Sequence, residues 1–222
     1  MLAVVILAAG ESRRMGRPKA LIPFPEHVFS TSHNARHEAA AAKAASDAEP
    51  KNPKTFLCYL IDVTRHPRAE LLRVVVGAHA EEIRASAKLD AGELVVNEDW
   101  QHGQLSSLQS AIRSLPEGAT EGMLVCLVDH PLISAELVAR LMEAFAREKN
   151  KIVIPTFNGK RGHPVIFPEA LYSELLQAPE EIGARAVVRT HASDVLEIPV
   201  EEEGVVLNLN DPESLQRIAN LK

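Results

Sequence analysis

Four cations fall within seven residues, Arg13, Arg14, Arg17 and Lys19, and only Glu11 stands against them. They follow Ala8-Ala9-Gly10, a run of small residues where backbone can approach a ligand closely. Backbone N–H groups in such a turn form a nest for anions, and the cations neutralise the charge, so the chemistry this spacing serves is the handling of a polyphosphate. The bland alternative is a solvated basic loop, since runs of charge usually lie at the surface. The common phosphate motifs do not fit. Gly10 and Gly16 are wrongly spaced for G-x-x-x-x-G-K-[ST], Ala20 stands where that motif needs a hydroxyl, and G-x-G-x-x-G is absent. Pro18 disfavours a helix straight after Gly10, so a long loop is expected, with Arg14 and Lys19 reaching back over the phosphates. A second candidate is Asp129, which follows an apolar run. A carboxylate there is a hard oxygen ligand for Mg²⁺, or else the cap of the next helix.

The surrounding pattern accounts for how these residues would meet. Leu2 to Leu7 is an apolar run that reads as a buried first strand. After it the chain alternates. Phe56–Thr64 reads as a helix, Leu71–Val76 as a strand and Ala80–Lys88 as a charged helix. Glu93–Val96 reads as a strand, Leu105–Leu115 as a helix and Met123–Val128 as a strand. Ala135–Lys149 reads as an amphipathic helix and Lys151–Pro155 as a strand. This alternation predicts an α/β fold, Rossmann-like and doubly wound, with a mainly parallel sheet. Ligands of such sheets bind beyond the carboxyl ends of the strands. The basic loop, Asn97 and Asp129 all fall at such ends.

Length and composition suit a single domain over residues 1–222, with 46% hydrophobic residues to build its core. The net charge of -6 gives no general nucleic-acid surface, so nucleic acid is not an expected partner. Cys58 and Cys126 sit in apolar segments and read as reduced core residues. With no secretory leader pattern and no apolar run long enough to span a bilayer, a cytoplasmic location without membrane attachment is expected. Residues 25–55 break the pattern. They hold an Ala-rich stretch, Ala35 to Ala48, flanked by Pro25, Pro50 and Pro53, and read as a partly disordered insertion. His27, His33 and His37 within it read as solvated rather than metal-binding.

Leu7 to Lys19 matches L-A-A-G-x-S-x-R-M-G-x-x-K at every fixed position. In this the chain resembles the MobA-like nucleotidyltransferases, and among them most the molybdenum cofactor cytidylyltransferases. The resemblance implies the nucleotide-diphospho-sugar transferase-like version of the fold. It also implies nucleotide binding by Leu7, Ala8, Ala9, Gly10, Ser12, Arg14 and Lys19. Asn97 to Leu108 resembles the family's nucleoside-binding segment, which adds Asn97, Gly103 and Ser107; an ordinary loop and helix cap is the alternative. Leu127 to Leu132 matches the family's G-D-x-P region at Asp129 and Pro131, while Val128 and His130 depart from it.

Farther on, Gly159 to Val165 resembles G-x-x-G-H-P-V and Glu181 to Arg185 resembles G-D-x-G-A-R. Arg161, His163 and Arg185 are thereby implied as holders of an anionic acceptor, against the reading of a hairpin with solvated charges. Val205 to Glu213 reads as a strand and a helix start. It is similar to the region that supplies a second metal ligand, with Asn208 and Asn210 where aspartates are common. Asn210 offers a carbonyl oxygen without charge.

What the resemblance implies is a Mg²⁺-dependent transfer of CMP from CTP to the phosphate of molybdopterin, with pyrophosphate released and Arg14, Lys19 and Asp129 catalytic. A molybdenum hydroxylase or its maturation chaperone would be the downstream partner. CTP is expected because the related guanylyltransferases tend to carry glycine at the position of Ala9, and a methyl there intrudes on a purine more than on a pyrimidine. The alternatives are the same chemistry on a sugar-phosphate or polyol-phosphate, a nicotinamide-dependent reductase, and a non-catalytic cofactor-delivery protein.

Overall fold

The computed structural model describes residues 1–24 and 54–219. Eight strands form one sheet: β1 Leu2–Ala8, β2 Ala69–Val76, β3 Leu94–Val96, β4 Gly122–Leu127, β5 Ile152–Phe157, β6 Lys160–Arg161, β7 Val165–Pro168 and β8 Val195–Pro199. Their order is β3-β2-β1-β4-β7-β5-β6, with β8 paired to β5. Among the described residues seven α-helices accompany them: α1 Phe56–Val63, α2 Ala80–Ser86, α3 Gln104–Ser114, α4 Ala135–Arg147, α5 Tyr172–Leu176, α6 Arg185–Thr190 and α7 Pro212–Ala219.

The whole of β1 is buried, which explains its unbroken apolar sequence. Alternate residues feed opposite cores. Val4, Ile6 and Ala8 join Phe56, Leu57 and Leu60 of α1 and Leu137, Leu141 and Phe145 of α4. Ala3, Val5 and Leu7 join Leu108, Ala111 and Ile112 of α3, with Leu175 and Val187. Helices thus cover both faces, as the alternation predicts. The central register sets the active edge: Ala8 lies beside Val76, and Leu7 beside Leu127. The turns that follow these strands therefore leave the sheet at one level.

The sheet is mostly parallel, with an antiparallel insert. Asn158 and Gly159 both take positive φ, the geometry of a two-residue hairpin, and reverse the chain from β5 into β6. β7 then runs antiparallel between β4 and β5. β8, which the sequence pattern does not announce, pairs parallel to β5 through a half-exposed V-L-E-I-P run.

The expected strand from Val205 is corrected. Glu203–Val206 is a 3₁₀ turn, and Leu209 instead donates a single 2.8 Å hydrogen bond to the Asp129 carbonyl. The chain closes on itself there: the N–H groups of Val205 and Leu207 donate to the Glu202 and Gly204 carbonyls at 3.4 and 3.3 Å, and Gly204 lets this turn pack against the Leu132 backbone, as Gly162 lets its own segment pack against that of Val205. The proposed insertion falls almost entirely outside the described residues. Its flanks meet, with Pro23 bridged to Thr55, and Phe24 stacked on Tyr59 at 3.8 Å between ring centroids. Cys126 is buried, which pushes its thiol up to about 12, and Cys58 is also free. No helix among the described residues is long and apolar enough to cross a membrane.

A methyl at residue 204 would overlap the Leu132 carbonyl oxygen, whereas one at residue 92 would meet open space. Gly204→Ala is therefore expected to destabilise the fold by about 1–3 kcal/mol, with Gly92→Ala within about 0.5 kcal/mol of the parent. Urea unfolding midpoints of the two variants check this pair.

Candidate active site

The loop after β1 is held by its own short side chains. Ser12 sits in the left-handed region at φ 56°, and its Oγ accepts from the Lys19 N–H at 3.1 Å. That contact folds Arg13–Met15 and Lys19–Leu21 into two 3₁₀ turns. Among the described residues, the N–H groups of Gly10, Glu11 and Ser12 have no acceptor. These are the groups that the expected anion nest would use. Arg13 pairs with Glu11 at 2.7 Å, while Arg14 and Arg17 are exposed.

Lys19 points inward. Its Nζ lies 3.3 Å from Asp129 Oδ2 and donates to Asn210 Oδ1 as well. Asp129 arrives from the end of β4. Asn210 arrives from the opposite end of the chain, placed by the Leu209 bond to the Asp129 backbone. The adjacent Asp211 caps α7, accepting from Ser214 N–H at 2.8 Å. So the structure brings together three residues that lie 110 and 81 positions apart, counting from 19 to 129 and from 129 to 210. Two hard oxygens already converge on one cation there, and that donor set fits a divalent metal that takes its remaining ligands from water and phosphate.

Asn97 is 3% exposed. Its amide donates to Ser106 Oγ and Ser107 Oγ at 2.9 and 3.1 Å, and its oxygen accepts from Asp99 N–H at 3.1 Å. Asn97 and Ser107 thus build the start of α3, where Gly103 takes φ 89° beside open space. Sequence reasoning missed Gly77 and Trp100. A methyl at residue 77 would lie 2.6 Å from Trp100 Cβ and 2.7 Å from the Ala9 carbonyl, so only glycine lets the indole pack there. Ala78 N–H holds that same carbonyl at 3.1 Å. The signal was a glycine ending a buried strand.

A cavity of about 520 Å³ opens beside the second core. Leu105, Leu108, Val125 and Phe167 form its apolar floor, and Arg161, His163 and Arg185 all line it, together with Gly103. The three side chains differ in what they can do. Arg161 is tied to Glu197 of β8 at 2.7 Å. His163 is neutral at physiological pH: burial, then the neighbouring His130, pulls its pKa down to about 4. It can hydrogen-bond a ligand but not neutralise one. Arg185 is exposed, and Arg189, four residues on along α6, also lines the cavity and was not foreseen. His102 and Glu180 meet at 3.2 Å across its mouth.

Residues 4–195 match the model of the MobA-like NTP transferase domain. A probable molybdenum cofactor guanylyltransferase of Mycobacterium avium (strain 104) is 26% identical over 222 residues, covering 100% of this chain and 96% of the relative. The nicotine blue oxidoreductase of Paenarthrobacter nicotinovorans is 26% identical (96% and 94% covered), and the molybdenum cofactor cytidylyltransferase of Escherichia coli (strain K12) is 21% identical (94% and 91%). The crystal structure of Rv0371c from Mycobacterium tuberculosis H37Rv superposes with a TM-score of 0.75 at 23% identity, covering 99% of this chain and 98% of that one. A second structure of that protein, in complex with manganese, gives 0.70 at 22% identity, covering 100% and 99%. The chain belongs to the MobA-like NTP transferase domain family and is a nucleotidyltransferase.

His163 also makes stability depend on pH. Its pKa falls from 6.5 in the unfolded chain to about 4 in the fold, so the unfolded state takes the proton first as pH drops. The contribution of the neutral ring is complete above pH 6.5 and is lost progressively towards pH 4. Urea midpoints should therefore fall across this window in the parent and fall less in His163→Gln; equal slopes would contradict the assignment.

Proposed function

With the chain placed among the MobA-like NTP transferases, we propose that it transfers CMP from CTP to the terminal phosphate of molybdopterin in the cytoplasm and releases pyrophosphate. The observation that carries this reading is one edge of the sheet, where the N–H nest, the Lys19–Asp129–Asn210 cluster and the cavity stand side by side. The relatives from Mycobacterium avium and Escherichia coli, a probable molybdenum cofactor guanylyltransferase and a molybdenum cofactor cytidylyltransferase, support a molybdenum cofactor acceptor, and the product would pass to a molybdenum hydroxylase or its chaperone.

In the reaction an acceptor phosphate oxygen attacks the α-phosphorus in line. A new P–O bond forms as the bond to the bridging oxygen of pyrophosphate breaks. The attacking phosphate is already ionised, so no general base is required; the protein must align two anions and offset their repulsion. Gly10 to Ser12 present N–H groups to the triphosphate, Arg14 folds over it, and Lys19 stabilises charge on the α-phosphate and leaving group. Asp129 and Asn210 would hold Mg²⁺, which when bound neutralises charge on the phosphate oxygens. The acceptor lies in the cavity, its ring system on the floor of Leu108 and Phe167, with Arg185 towards its anionic end. His163 donates or accepts one hydrogen bond there.

Choice of base rests on Ala9. Its carbonyl is pinned by Ala78 and backed by Trp100, so the loop has little room to retreat from a larger base. Asn97 and Ser107 back the opposite side. One methyl in a pocket is worth about 1–3 kcal/mol, or roughly 10–200-fold. Competition among the four NTPs with molybdopterin should give CTP a kcat/KM about tenfold or more above GTP, and Ala9→Gly should narrow the gap. Equal or better use of GTP would overturn the cytidylyl assignment, and efficient use of a sugar phosphate in place of molybdopterin would overturn the acceptor.

Asp129→Asn keeps the shape and removes the charge. It should lower kcat by about a hundredfold or more, equivalent to a few kcal/mol of transition-state stabilisation, with the fold intact by circular dichroism. Near-normal turnover at saturating Mg²⁺ would contradict the metal role.

A further inference from the structure

Lys19 does more at this site than wait for phosphate. Its ammonium lies between the carboxylate of Asp129 and the side-chain oxygen of Asn210, the two groups that would hold the metal. Its side chain is only 14% exposed and that of Asp129 22%, so water screens the pair weakly. A divalent ion bound to both oxygens would stand within a few ångströms of the ammonium, and the two cations would repel. Asn210 adds no negative charge. The cluster as it stands sums to zero, which leaves little to attract a bare divalent ion.

We infer that Lys19 is an internal counter-cation that occupies the metal position until nucleotide arrives, so that the metal enters only with the triphosphate. This inference rests on the reading of Asp129 and Asn210 as the metal pair. The exchange is a swing of one side chain. The Lys19 N–H is fastened to Ser12 Oγ at 3.1 Å, while four methylenes let the ammonium swing towards the N–H nest of Gly10 to Ser12 in the same loop. Triphosphate in that nest supplies the negative charge that draws the ammonium off Asp129 and Asn210. It also offers the oxygens that complete a metal's coordination. The same lysine is thereby delivered to the phosphates at the moment when it is needed there. An empty site is kept neutral, and neither Asp129 nor Asn210 is left without a partner.

The test is the binding of Mn²⁺ alone to the full chain, read by loss of the free-ion electron paramagnetic resonance signal. Lys19→Met, of similar length and no charge, is expected to bind bare Mn²⁺ more tightly than the parent by about tenfold or more. Lys19→Gln serves as a second variant should the first not fold. Adding Asp129→Asn to either should remove the gain, which ties the ion to this site. The parent should gain affinity for Mn²⁺ when CTP is added, beyond what CTP binds in a protein-free blank. Equal affinity of the parent and both Lys19 variants for bare Mn²⁺, lost with Asp129→Asn, would overturn the counter-cation role and leave the metal pair standing. No Mn²⁺ bound by any variant, even with CTP, would overturn both.

Discussion

One ammonium closes this site. Lys19 joins the turn after the first strand to the turn after the fourth and to the approach to the last helix. These segments are far apart in sequence, and each is fixed by something other than the ammonium. Ser12 fixes the first, the in-register end of β4 the second, and the Leu209 bond to the Asp129 carbonyl the third. The charges meet because the backbone already brings them there. A flexible lysine then closes the cluster at low cost, since its partners do not have to be ordered for it.

The sheet makes this possible by aligning carboxyl ends. β1 lies between β2 and β4 with Ala8 and Leu7 at the level of Val76 and Leu127, so the phosphate loop, the Gly77 turn and Asp129 leave at one height. The antiparallel insert has a different use. It carries Gly162 and His163 back towards Val205, whose carbonyl accepts from the His163 N–H at 2.8 Å, and both residues line the cavity. In the proposed reaction the donor would use the polar part of this edge, over the loop after β1, and the acceptor the cavity over the second core. For a reaction that joins two anions this division is apt, because each can be bound by its non-reacting part and brought up to the other.

Much of this was legible in the residues themselves. The small-residue turn with its cations, the strand ends and the carboxylate at Asp129 need only local pattern. What escaped depends on neighbours that are distant in sequence. Arg161 reads as a free anion holder, yet β8 brings Glu197 to it. His163 reads as a holder of an anionic acceptor, and the burial beside His130 that leaves it neutral is set by the fold. Asn97 and Ser107 read as parts of a base pocket, and the hydrogen bond that joins them across ten positions has no sign in the sequence. The strand expected from Val205 fails because its N–H groups close a 3₁₀ turn on the Glu202 and Gly204 carbonyls. Arg189 gave no signal in isolation; only the turn of α6 puts it beside Arg185.

The measurement that bears most directly on the account follows the phosphorus. CTP labelled at its α-phosphorus, incubated with the protein, Mg²⁺ and molybdopterin, should pass its label to the pterin product with one pyrophosphate released for each transfer. CTP labelled at the γ-phosphorus should pass its label only to pyrophosphate. Label from the γ-position in the acceptor, or release of free CMP with no labelled acceptor, would contradict nucleotidyl transfer at this site.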